Sequence, residues 1–117
     1  MAMRGRINAH SLPGPVVLYA VAPSDQPSPD LSHAVTRGPR RPPIAGTFHD
    51  PSAAIAPEER PGWQRVRAAI AAGYATGVVA FDRMAISPDD DLYLEELEWL
   101  GARYAFLHLL RDETEAR

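Results

Sequence analysis

Three short apolar runs punctuate the chain: Val16-Val-Leu-Tyr-Ala-Val-Ala22, Thr76-Gly-Val-Val-Ala-Phe81 and Arg103-Tyr-Ala-Phe-Leu-His-Leu-Leu110. Runs of this length, rich in β-branched and aromatic residues and without polar alternation, predict strands buried on both faces, as at the centre of a parallel sheet. Ile44-Ala-Gly-Thr-Phe-His49 is a fourth and shorter strand, expected at an edge because Gly and a flanking Pro weaken central strands. Two stretches between the runs carry a helical period instead. Pro61 suits the first turn of a helix, Trp63, Val66 and Ile70 recur at three and four residues as a buried stripe, and Gly73 is a natural terminator. The second helix is expected to start at Ser87-Pro-Asp-Asp90, with Ser87 as cap and Pro88 first, and to stop at Gly101. Its predicted buried stripe is Tyr93, Leu97 and Leu100 with Leu94 beside it, while Glu95, Glu96 and Glu98 face outward.

The remaining segments are connections. Residues 1–14 are polar and end in Pro-Gly-Pro, which reads as an N-terminal arm. Three prolines between Pro23 and Asp30 keep that loop out of helix and sheet, and a short helical stretch from Asp30 to Thr36 is broken by Gly38-Pro-Arg-Arg-Pro-Pro43. Asp50 to Glu59, made of small residues and proline, is expected to be the most mobile loop. The sum alternates strands and helices, which predicts an α/β domain of three layers, with right-handed crossovers and a mainly parallel sheet of about four strands. Residues 15–111 form that domain and residues 112–117 a charged tail.

Composition narrows the picture. At 117 residues the chain has length for one core and not for a second DNA-reading module. A net charge of −3 argues against general affinity for nucleic acid, although Arg4, Arg6, Arg37, Arg40 and Arg41 gather before Pro43 and leave room for a local basic arm. The absence of Cys removes disulfides, thiolate metal sites and cysteine nucleophiles, and His10, His33, His49 and His108 share no metal-ligand spacing. No metal or cofactor is implied. His108, on the last strand, reads as a hydrogen-bonded wall residue, and Asp89, Asp90 and Asp91 as first-turn acids that complement the helix dipole. No apolar run is long enough to span a membrane and the N-terminus lacks the apolar stretch of a signal peptide, so the expected location is the cytoplasm.

Chemistry concentrates where a strand stops. Asp82 and Arg83 follow the second apolar run directly, and in open parallel sheets the ligand crevice lies beyond the carboxyl ends of the strands. Taken alone, the pair also reads as an exposed ion pair. The wider pattern Glu59-Arg-Pro-Gly-Trp-Gln-Arg-Val-Arg, then Gly73, the strand, and Phe81-Asp-Arg-Met-Ala-Ile-Ser87 resembles the catalytic domain of the serine recombinases, the resolvase and invertase family. The resemblance runs from about Val16 to about Leu110. It implies a resolvase-like fold, with Arg60 matching the arginine of the family's Arg-Pro-Gly segment and Asp82 and Arg83 matching its Asp-Arg.

In that family a serine after the first strand attacks a DNA phosphodiester, and arginines stabilise the pentavalent transition state. Counted from Tyr19, the family's arginine falls on Val21 and its serine on Pro23, with Ser24 one position later; the last arginine of the Asp-Arg motif is Ile86. Each lost phosphate-binding arginine removes transition-state stabilisation on the order of 3 to 4 kcal/mol. The expectation is therefore a degenerate member without strand exchange, acting on a protein partner or contacting DNA weakly. The partners implied are DNA, a second copy of the chain, or an intact recombinase. The alternative is an active recombinase with Ser24 as nucleophile, a role that competes with that of an ordinary turn serine, and with Arg60, Asp82 and Arg83 around the phosphate. In the degenerate case Asp82 is expected near Arg60, with Ser24 beyond hydrogen-bonding distance of either arginine.

Overall fold

The structure, a computed structural model, describes residues 14–23, 31 and 42–111. Four strands, β1 (Val16–Val21), β2 (Ile44–Asp50), β3 (Gly77–Ala80) and β4 (Phe106–Leu109), form one sheet in the order β2-β1-β3-β4. Every pairing is parallel, with Leu18 opposite Val79 and Val79 opposite His108. The expected α/β fold with neighbouring β1, β3 and β4 is what forms. β1 is buried on both faces from Val16 to Ala20, as its unbroken apolar run requires. β2 lies at the edge, but at seven residues it is the longest strand and not a short one. Its alternating half-buried and exposed positions explain why: an edge strand needs only every second residue to be packed.

Helix α1 (Pro61–Ala71) begins at its proline and buries Trp63, Val66 and Ile70. It ends at Gly73, whose φ of 84° lets its own N–H bond Ile70 O at 3.1 Å and the Tyr74 N–H bond Ala69 O at 2.9 Å. After β3 the chain forms a one-turn helix, α2 (Arg83–Ile86), that is too short to leave a period in the sequence. The next helix, α3 (Asp90–Gly101), starts two residues beyond Pro88. Its cap is Asp89 and not Ser87: the carboxylate accepts the Asp91 and Leu92 N–H groups at 2.9 and 3.1 Å, while Ser87 Oγ takes the Asp89 N–H.

The expected buried stripe of α3 fails in part, for an identifiable reason. Its buried positions are Tyr93, Glu96 and Leu100, so Leu97 is only partly buried and Leu94 is 53% exposed. The helix is rolled toward α1 because Glu96 meets polar partners there. Its Oε1 accepts the Trp63 indole N–H at 2.8 Å, and Arg67 binds both carboxylate oxygens at 3.0 Å. These bonds also place α1 and α3 side by side on one face of the sheet. The helix ends at Gly101 as expected, but the glycine does not supply the left-handed turn. Closure comes three residues later at Tyr104, with φ 56°, through Tyr104 N–H to Gly101 O and Ala105 N–H to Leu100 O. That left-handed residue delays β4 to Phe106.

The core joins both faces of β1 and β3 to α1, α3 and Leu31, which is 4% exposed. Among the described residues no helix is long and apolar enough to cross a membrane.

Candidate functional site

The carboxyl end of β1 lies beside that of β3, and the Arg-Pro-Gly segment reaches the same end of the sheet. Its construction begins with Asp50, the last residue of β2, which is 2% exposed. One carboxylate oxygen accepts the Gly62 N–H at 2.8 Å; the other accepts the Trp63 N–H at 2.8 Å and the Tyr19 hydroxyl at 2.7 Å. A strand-end carboxylate thus caps α1, satisfying two of the N–H groups that a helix start leaves open and complementing its dipole. Gly62 is required by this approach, since a Cβ there would lie 2.3 Å from His49 O. Burial first, and then the hydrogen bond to Asp50, push the Tyr19 hydroxyl well above the ordinary tyrosine pKa.

Arg60 is 1% exposed and closes the cluster. Its Nε donates to Ile55 O at 2.8 Å, Nη2 to Ala53 O at 3.1 Å, and Nη1 to Ala85 O at 2.9 Å and Tyr19 Oη at 3.4 Å. The guanidinium therefore ties β1, the loop after β2 and α2 together. Three of these bonds fall on carbonyls, and two of those pin the loop that the sequence led us to expect as most mobile. Asp82 does not pair with Arg60 as expected. Its Oδ1 caps α2 through the Met84 N–H at 3.1 Å, and its Oδ2 lies 3.9 Å from Arg111 Nη1. The reason is local: the chain turns into α2 immediately after Asp82, and the nearest open N–H is two residues on.

Arg83 points away from this cluster. Its guanidinium lies over the Tyr93 ring at 4.3 Å, with Nη2 2.8 Å from Asp90 Oδ1. That contact is off the line of an N–H bond, so it acts as an ion pair; Nε likewise makes no hydrogen bond among the described residues. Ser24 lies outside the described residues, as do His10, His33 and the arginines of the arm and of the stretch from Arg37 to Arg41. His108 departs from its expected role, since its Nδ1 has no hydrogen-bond partner among the described residues and burial lowers its pKa. No cluster of three potential metal ligands occurs among the described residues.

Between the ends of β1 and β3 lies a crevice of about 280 Å³, lined by Ala20, Val21, Phe81, Asp82, Met84 and Ala85 with Ala53 at its side. No arginine lines it among the described residues. Sequence reasoning brought Arg60, Asp82 and Arg83 to one end of the sheet but missed Asp50 and the buried use of Tyr19. The signal for Asp50 was present: a helix opening on Pro61-Gly62 has no side-chain acceptor of its own, so an acceptor must come from elsewhere.

This architecture is the α/β fold of serine recombinase catalytic domains. The chain is similar to the N-terminal catalytic domain of TP901-1 integrase, with a TM-score of 0.64 at 16% identity over 87% of this chain and 85% of that one. It is also similar to the C-terminal catalytic domain of ISC1926 TnpA, an IS607-like serine recombinase, with a TM-score of 0.62 at 14% identity over 85% of this chain and 69% of that one. No protein-family model and no curated protein matches the sequence.

Proposed function

We propose that this chain is a serine-recombinase-fold domain that does not exchange DNA strands and that works by contact with a protein partner. The observation that carries this reading is the crevice at the carboxyl ends of β1 and β3. Phosphoryl transfer is catalysed mainly by positive charge arranged around the phosphate. Here the described lining is apolar with one carboxylate. Arg60 is buried on carbonyls and Tyr19, and Arg83 is held on Tyr93 and Asp90. Val21, Pro23 and Ile86 stand where the resembled pattern has an arginine, the serine and another arginine. Contact with DNA, where it occurs, is then weak and electrostatic.

The competing reading keeps Ser24 as a nucleophile with Arg60, Asp82 and Arg83 around the phosphate, and the unbonded Nε of Arg83 is the observation in its favour. Incubation of purified protein with supercoiled plasmid, followed by denaturing separation of covalent protein–DNA adducts, decides between them. The expected result is no adduct and no relaxation. An adduct that Ser24→Ala abolishes would overturn the proposal and establish the enzyme.

A further inference from the structure

We infer that the crevice at the carboxyl ends of β1 and β3 receives an arginine or lysine side chain, flanked by apolar residues, from a partner protein. This rests on the reading above, in which the crevice no longer holds phosphate, and it names the chemistry of the partner. The first argument is charge. The one ionised group in the described lining is Asp82, so the acceptor open to a guest is a carboxylate, although the buried Arg60 guanidinium and Arg111 stand behind the wall and beside Asp82. Asp82 has capacity for such a guest: Oδ1 is used by the Met84 N–H, but among the described residues Oδ2 meets only Arg111, at 3.9 Å, beyond the range of a good charged hydrogen bond.

Shape and surroundings give the second argument. A volume of about 280 Å³ lies just below the usual range for small-molecule pockets and suits one long side chain. Lysine and arginine bear a charged head on an apolar stem, and the alanines, Val21, Phe81 and Met84 supply walls for the stem. The rim extends the match. Phe81 is 46% exposed and Met84 51%. These are two of the six large apolar side chains exposed among the described residues, and their meeting at one crevice marks a contact surface more than scattered exposure does. Methionine at a rim adapts to differently shaped apolar neighbours.

The test is a titration of the ¹⁵N-labelled chain with a capped leucine-arginine-leucine peptide, followed by amide shifts. Saturable shifts at Val21, Phe81 and Met84 are expected, with affinity lower by about tenfold for the leucine-glutamine-leucine peptide and for Asp82→Asn. Asparagine retains the oxygen that caps α2, so that variant keeps the fold. Met84→Lys, at an exposed position, places a cation on the rim and should weaken binding similarly. Equal binding of the two peptides, shifts that map elsewhere, no shifts at all, or displacement of these amides by inorganic phosphate would each overturn the inference. The plasmid assay reads an adduct and the titration reads peptide shifts, so failure of this inference and failure of the reading it rests on are told apart.

Discussion

Arg60 and Arg83 match the same kind of motif position, yet the protein uses them in opposite ways. Arg60 is 1% exposed, and all three guanidinium nitrogens donate to acceptors on three separate parts of the chain. Arg83, with its side chain 24% exposed, rests on one ring and one highly exposed carboxylate. A buried guanidinium is tolerated only when its donors are met, so Arg60 became part of the scaffold. Arg83 remained a partly exposed charge, held by a ring and an ion pair and not by a set of hydrogen bonds. Matching a catalytic motif therefore says which residue is present and not what its nitrogens are free to do.

The largest expected effect separates the two directly. Arg60→Met should cost about 3 to 5 kcal/mol in denaturant melts, because it leaves buried carbonyls and the Tyr19 hydroxyl short of a donor. Arg83→Met should cost less than about 1 kcal/mol, as partly exposed pairs do. Equal losses would erase the distinction. Glu96 sharpens it as a third charge: although its sequence position faces solvent, it is 4% exposed and holds Trp63 and Arg67. Glu96→Ala should cost about 2 to 3 kcal/mol, and a silent substitution would mean that burial of a charge here carries no structural role.

On the exposed side, removing a side chain should even help. Tyr104 is 88% exposed and closes α3 with φ 56°, the task that Gly73 performs after α1. Tyr104→Gly should raise stability by up to about 1 kcal/mol, since the left-handed backbone penalises a Cβ. A loss instead would show that the tyrosine makes a stabilising contact. The smallest effect is pH-dependent. Burial lowers the pKa of His108 below its ordinary 6.5, so its contribution is present above pH 6.5 and is lost as the pH falls through and below that value, where the unfolded chain takes up the proton first. His108→Gln should flatten the stability profile below pH 6.5, and an unchanged profile would refute the assignment.

Sequence alone determined a strand within each of the runs at residues 16–22, 44–49, 76–81 and 103–110, the helix from Pro61 to its Gly73 stop, and the placement of Arg60, Asp82 and Arg83 toward one end of a parallel sheet. These follow from local rules, since unbroken apolar runs need burial on two faces and proline and glycine set helix ends. Tertiary structure alone decided that α3 buries Glu96 in place of Leu97, that Asp50 caps a helix eleven residues further along, and that Arg60 turns inward. The physical reason is that hydrogen-bond partners of buried polar groups come from whichever elements the fold brings together, at sequence separations of 31 for Tyr19 with Asp50 and 33 for Trp63 with Glu96. A hydrophobic period records which residues avoid water, but it carries no record of which distant carboxylate a buried indole or guanidinium will meet.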